Sequence, residues 1–381
     1  MAAIRSTLAC NLETNLILAA LPLFEAERVA ALEWSFDALY AHEQLPDWFT
    51  ELLTTYSEAD RLVGHGVFFS LLSGRWTSEQ QAWLIRLRAL SREFRFDHIT
   101  EHFGFMTGAD FHKGAPVNVP CTAVTLALGQ DRLSRIQDAC RCPVGLENLA
   151  FAYSLDDVKR QGDFLRQLIE PVNGFIILDL HNLYCQSKNF NLDLTALLDL
   201  YPLDRVREIH ISGGSWAEVE IEPGRHIRRD THDDAVPDDI FNWLSTAIDR
   251  CPNLGYVVLE QLGAGLTTGS ERLAFQADFD RMDVIVQQKN KSIAHPDMQS
   301  FLPELPLLIN PVPLENHRLY THQLELSAIL ETAVDVQQAK RRLAESSLAN
   351  SEWEVERWEP AMLETAVAIA RKWKNGFVGK E

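Results

Sequence analysis

The chain of 381 residues has no run of about eighteen apolar residues, so nothing in it reads as a membrane-spanning helix. Its opening stretch, MAAIRSTLACNLETNL, lacks the unbroken apolar core of a signal peptide, because Asn11 and Glu13 interrupt it early. A cytoplasmic protein is the expectation. Cysteine is scarce: the six, at positions 10, 121, 140, 142, 185 and 251, are too few and too scattered for a disulfide framework. Cys140-Arg141-Cys142 is not a zinc-knuckle spacing and reads as free thiols. Positive charge is short too. Thirty-five Lys and Arg stand against 54 Asp and Glu, a net charge of -19, and no basic run compensates locally. Such a surface repels phosphodiester backbones, which argues against nucleic acid as a partner. Internal repeats and low-complexity tracts are lacking as well.

What is present is an ordinary globular composition, long enough for a barrel-sized domain and an appendage. Short apolar or β-branched runs at 6–12, 31–36, 61–67, 97–103, 143–149, 175–181, 206–212 and 256–262 alternate with helix-like stretches. Thr77-Ser78-Glu79 opens a helix to about Arg92. Ser154, followed by two acids, opens another to about Ile169, and Pro237-Asp238-Asp239 a third to about Ile248. About eight such units predict an α/β fold, a (β/α)8 TIM barrel over residues 1–290. A doubly wound sheet is the alternative, but it usually needs fewer strands. Residues 291–381 form a C-terminal extension. A stretch with five prolines in 22 residues (295–316) reads as an extended, surface-hugging linker, and two helices are predicted near 320–348 and 354–374. Trp353, Trp358 and Trp373 are expected to pack this extension onto the barrel, with a docking surface for a peptide or partner as the other reading.

In such a barrel, catalytic groups sit at the C-terminal ends of strands. The third run ends in Gly64-His65-Gly66, the fourth in Glu101-His102, the fifth in Glu147-Asn148 and the sixth in Asp179. The seventh ends in His210 and the eighth in Glu260, while the loop after the seventh carries Arg229-Asp230-Thr231-His232-Asp233. A single histidine at a strand end is ordinarily a hydrogen-bonded structural residue. Acids inside apolar runs, such as Glu147 and Glu260, are costly without a positive partner, and no Lys or Arg occupies the matching strand ends. Metal ions would supply that charge. Imidazole and carboxylate without thiolate suit iron, manganese or zinc, and so many donors call for two or three ions. Cys185 reads as a buried loop thiol. The remaining histidines are read as uninvolved: His42 in a helix or loop, His98 near the start of the fourth strand, and His112, His226, His295, His317 and His322 as solvated loop or extension residues.

The order of these motifs resembles the DUF692 family of multinuclear non-heme iron-dependent oxidases over about residues 5 to 285. The residues carrying the likeness are His65-Gly66-Val67, Glu101-His102, Gly145-Leu146-Glu147-Asn148, Asp179 to Asn182, Ile209-His210 and Asp230-Thr231-His232-Asp233. The resemblance implies two or three iron ions, in mixed Fe2+/Fe3+ states, with dioxygen as co-substrate. It implies modification of a ribosomally made precursor peptide, commonly at cysteine and sometimes at aspartate or another residue. A small partner protein that captures the leader peptide is also implied. The ligand order is similar to that of the trinuclear endonuclease IV barrels. By that layout His65, His102 and Glu147 hold one ion; Glu147, Asp179, His210 and Glu260 a second; and Asp230 and His232, with the residue at 182, a third. The sequence departs from the family where Asp-Val-Asn-Asn becomes Asp179-Leu180-His181-Asn182, and where His-Leu-Ala-Gly-His becomes His210-Ile211-Ser212-Gly213-Gly214. Strand alternation puts His181 on the inward face of Asp179. The resemblance points instead to Asn182 as the ligand, with His181 as a supporting or substitute group. The competing functions are a zinc or manganese phosphodiesterase acting on abasic DNA, a sugar isomerase, and a degenerate barrel kept as a scaffold. The isomerase would ordinarily want a lysine near the metals, and none stands at a strand end.

Overall fold

The computed structural model describes residues 3–40, 44–107, 113–292 and 300–374; His42, His112 and His295 lie outside the described residues. Eight strands form: β1 (Arg5–Cys10), β2 (Ala31–Trp34), β3 (Leu62–Gly66), β4 (Ile99–His102), β5 (Val144–Glu147), β6 (Phe175–Asp179), β7 (Val206–Ile211) and β8 (Tyr256–Leu259). Each overlaps a run picked out by its apolar, β-branched character, β1 starting one residue earlier, because strands buried on both faces need nearly continuous hydrophobicity. They close in the order β1-β8-β7-β6-β5-β4-β3-β2, with the paired strands parallel. This is the TIM barrel that the alternation of elements predicts.

The helices outside the barrel begin where local chemistry says they should. Thr77 caps the helix Ser78–Glu93 in a capping box with Gln80, and Ser154 caps Leu155–Ile169 with Asp157 as its reciprocal partner. Asp238–Arg250 starts directly after Pro237. Two short hairpins rise from the C-terminal rim, Phe105–Met106 with Pro116–Val117 and Trp216–Glu218 with His226–Arg228.

The C-terminal extension departs from expectation in two ways. Three helices replace the predicted two: His317–Thr332, Val336–Ala344 and Pro360–Trp373. The break falls at Asp335, whose side chain accepts from the Gln338 N–H and so caps a new helix where the sequence pattern runs on. His322, read as solvated, is buried and accepts from Trp353 Nε1 at 3.2 Å. Trp358 stacks on Tyr153 with ring centroids 3.7 Å apart, and Glu359 N donates to the Tyr153 carbonyl. Apolar residues of these helices and of the barrel belong to one continuous hydrophobic cluster. At the opposite end of the barrel the extended chain inserts Phe301 against Phe175 and Ile177, and Asn173 Nδ2 holds the carbonyls of Ser300 and Leu302. The linker therefore closes the floor of the barrel while the last helix crosses its mouth.

Candidate metal centre

Sheet register brings the polar residues together. The β4–β5 pairing sets His102 opposite Glu147, and the β6–β7 pairing sets Asp179 opposite His210. Glu147 Oε2 lies 3.3 Å from His65 Nε2 and 3.2 Å from His102 Nε2. His210 Nδ1 lies 3.2 Å from Glu260 Oε2, and His232 Nε2 lies 3.0 Å from Asp230 Oδ1. Four groups have donor atoms within 4.8 Å of one another: His65, His102 and Glu147; Glu147, Asp179 and His210; Asp179, His232 and Glu260; and Glu33, His210 and Glu260. Glu33, at the end region of β2, is the one member that sequence reading passed over. Its signal is that of Glu147 and Glu260, an acid inside an apolar run.

A repeated pattern runs through these side chains: one polar atom is tied down and the other is left free. His65 Nδ1 pairs with Thr100 Oγ1 at 2.8 Å; that hydroxyl donates to the Gly64 carbonyl, so its oxygen accepts the Nδ1 proton and Nε2 keeps its lone pair. Glu147 Oε1 accepts from Asn182 Nδ2, while Oε2 is buried without a hydrogen bond. Asp179 Oδ1 accepts from the Asn182 N–H at 2.6 Å, while Oδ2 is buried without one. His210 Nε2 meets Glu208 Oε1 at 2.5 Å, and Nδ1 is left over. Glu208 is held by His98 Nε2, whose Nδ1 pairs with Asp97, which in turn is bound by Arg207. His98 is thus not isolated from the site, as its place at the start of β4 implies, but sits in a buried chain that ends on His210. Loss of the Thr100 hydroxyl should weaken metal binding at His65 by about 10–100-fold, the usual effect of removing a group that orients a ligand. Competition of the Thr100→Val protein against a chelator measures it.

The electrostatics say the same. Glu33, Glu147, Asp179, Glu208, Asp230 and Glu260 converge, and among the described residues none of them forms an ion pair with Lys or Arg. Burial pushes the Asp179 carboxyl well above the ordinary carboxylate range, and the charges of Asp230 and Glu147 add to it. Glu33 is pushed up to about 8, burial outweighing the attraction of His210. Orphaned lone pairs and mutually repelling carboxylates fit divalent cations of the borderline-to-hard kind, held by imidazole and carboxylate. His65, His102, Glu147, Asp179, His210, His232, Glu260 and Glu33 could hold them.

The sixth strand ends differently from its predicted course. Asp179 is both the last residue of β6 and the N-cap of the helix Leu180–Phe190, so His181 and Asn182 lie in a first helical turn where strand alternation has no force. Asn182 stands beside Glu147, its Nδ2 also reaching the Asn148 carbonyl. His181 stands beside Asp230. Its Nδ1 meets Asp230 Oδ1 at 2.8 Å, and Arg228 Nε donates to its Nε2 at 3.1 Å. Both ring nitrogens are thereby engaged, which makes His181 a support for Asp230 and leaves it no free lone pair. The loss of a side chain at 214 has its reason here: a Cβ on Gly214 would lie 2.8 Å from His181 Cε1 and 2.3 Å from the Arg229 carbonyl. A side chain at 214 would meet both the ring at 181 and the backbone of the loop at 229–231. Gly214→Ala should cost on the order of 1–3 kcal/mol in denaturant unfolding through this overpacking.

Above the donors lies a cavity of about 260 Å³. Its floor includes His65, His102, His232 and Glu260, its wall Arg228 and Arg229, and its roof Met362, Thr365, Ile369 and Trp373 of the last helix. That helix is anchored by Glu364, which accepts from the N–H groups of Glu220 and Ile221, and by the Trp373 carbonyl, which accepts from Gly114 N. Neither Arg228 nor the roof residues Met362, Thr365 and Ile369 are recognisable in the sequence as part of a site, since they lie in a hairpin end and a distant helix.

Comparison with known proteins accords with this arrangement. A UPF0276 protein of Caulobacter vibrioides is 27% identical over 187 residues, 49% of this chain and 64% of that protein's length. One from Paraburkholderia phytofirmans is 29% identical over 204 residues, 52% of this chain and again 64% of the relative. The matches thus span less than two thirds of these relatives. Among solved structures, the zinc-bound IOLI protein shares 11% identity with a TM-score of 0.47, covering 76% of this chain and 99% of that one. An L-ribulose 3-epimerase shares 12% with a TM-score of 0.48, covering 77% and 95%. The family profile described as RiPP precursor modification enzyme MbnB/TglH/ChrH matches residues 39–262, more than half of the chain, and the protein belongs to that family.

Proposed function

We propose that this protein is a multinuclear iron-dependent oxidase that uses dioxygen to modify a side chain, cysteine foremost and otherwise aspartate or another residue, of a ribosomally made precursor peptide. The observation that carries the reading is the set of converging, largely buried donors, several with one atom fixed and the other free, under a cavity that opens onto them. Family membership supplies the peptide substrate class. Iron held there would supply the redox chemistry by which dioxygen oxidises a side chain.

The chain's own residues do the positioning. Thr100 and Glu208 set which nitrogen of His65 and His210 faces inward, and Asn182 turns Glu147 Oε2 toward both His65 and His102. The apolar roof of Met362 and Ile369 limits water above the donors. Among the described residues no lysine lines the cavity, which disfavours a carbonyl-polarising isomerase. A leader-binding partner protein belongs to the same proposal. Metal analysis of protein purified without oxygen, followed by aerobic incubation with peptides encoded beside its gene, tests it. Two to three iron atoms per chain and a mass change in one peptide are expected. Zinc alone, with cleavage of an abasic duplex, would replace this reading by the hydrolase.

A further inference from the structure

The cavity wall holds two arginines that the metal centre does not use. Arg228 is 5% exposed, and its guanidinium lies 5.5 Å from the ring centres of both Tyr184 and Trp216. Its Nε is committed to His181, but its Nη2 is buried with no hydrogen-bond partner. Arg229, the next residue, is half-buried, lines the same cavity, and forms no ion pair among the described residues. A buried guanidinium donor without an acceptor, as at Arg228, is costly, and a second cation beside it repels it. Among the described residues Arg228 Nη2 has no acceptor and Arg229 no ion pair, so both guanidinium groups can take an anion that enters the cavity.

Resting on the reading above, we propose that Arg228 and Arg229 form a carboxylate-binding subsite that anchors the peptide substrate beside the metal centre. The guanidinium fork matches a carboxylate in two parallel hydrogen bonds, and a peptide offers that anion at its C-terminus or on an Asp or Glu side chain. The cavity, at about 260 Å³, is smaller than the roughly 300–1,000 Å³ of sites for drug-sized ligands. It therefore accepts a chain end or a single side chain. Met362 and Ile369 above the arginines give the anion's carrier an apolar wall.

Binding of three small probes to metal-replete protein, without oxygen, tests this by calorimetry. N-acetylleucine carries an α-carboxylate, N-acetylaspartic acid α-amide a side-chain carboxylate, and N-acetylleucinamide neither. At least one acid probe should bind about tenfold more tightly than the amide, the worth of one charge-assisted hydrogen bond. The tighter of the two acids identifies which carboxylate the subsite takes. In Arg229→Gln that preference should fall to within about twofold at unchanged metal content, and Arg229→Lys, which keeps the charge, should retain part of it. Equal binding of acid and amide probes overturns the proposal. So does a preference that survives Arg229→Gln, since the carboxylate would then be bound to metal instead. Because no oxidation is measured, a protein that fails to modify any peptide can still pass this test. One that modifies a peptide can equally fail it.

Discussion

Glu147→Gln is expected to leave at most one metal ion per chain and to lower peptide oxidation by a factor on the order of a thousand or more. Glu147 belongs to two of the donor groups, and its Oε2 faces His65 and His102 together. A carboxylate in that position is suited to bridge two ions, and glutamine keeps its shape while removing the charge both ions would share. A stability measurement separates loss of metal from loss of fold. With metal removed, His102 and His65 hold the Glu147 carboxyl below its ordinary range despite burial, so the chelated variant should melt lower than the chelated parent but still in one cooperative transition. A full metal complement in Glu147→Gln would show that the carboxylate is not a ligand.

Chelation of the metals should lower the melting temperature of the parent protein strongly, and by more at pH 9 than at pH 6. Binding to the folded chain alone, at free metal about 1,000-fold above the dissociation constant, stabilises by about 4 kcal/mol per site. The pH dependence follows from groups that face one another once the cations leave. Glu33 is then held up at about 8 by burial against the pull of His210. His65 and His232 rise to about 10: burial opposes their charge, but Glu147 and Glu33 around His65, and Asp230 beside His232, outweigh it. Each folded value exceeds the unfolded one. The stability each group contributes is therefore complete below its ordinary pKa and is lost as pH rises through the folded value. For Glu33 that window runs from about 4.5 to 8, and for the histidines from about 6.5 to 10. Asp230 and Glu260, held low despite burial by His232 and by His210 respectively, lose stability only in acid and are constant between pH 6 and 9. His102 and His181, which burial holds below the ordinary 6.5, run the other way but only near that value, so the loss from Glu33, His65 and His232 prevails towards pH 9, whereas bound metal replaces the protons and flattens the profile. Scanning calorimetry with and without chelator at the two pH values measures it. A chelator-insensitive melt, or a larger drop at pH 6, would contradict the account.

Much of this was legible in the sequence because it is local. Strand runs follow from burial on both faces, and the helix starts at Thr77 and Ser154 follow from side-chain oxygens that accept the first free N–H groups. His65, His102, Glu147, Asp179, His210 and Glu260 stand out because polar groups at the ends of apolar runs need a reason. Glu33 carried the same signal but sits earlier in the barrel circuit, before any histidine gives it company. Asp335 carried a cap signal as well, within a stretch whose composition suits continuous helix.

The sequence by itself determined the barrel, the strand ends that bear donors and the kind of metal those donors suit. These follow from hydrophobic period and residue chemistry, which act over a few neighbours. Tertiary structure alone decided which atoms face inward. His181 reaches Asp230 only because Asp179 ends β6 and caps a helix in the same step, and it fits only because position 214 has no side chain. Arg228 and Arg229 join the cavity through a rim hairpin, and residues near 370 roof a site whose first donor is at 33. Contacts between residues so far apart in the chain depend on register, helix crossing and packing volume, and a one-dimensional pattern carries none of the three.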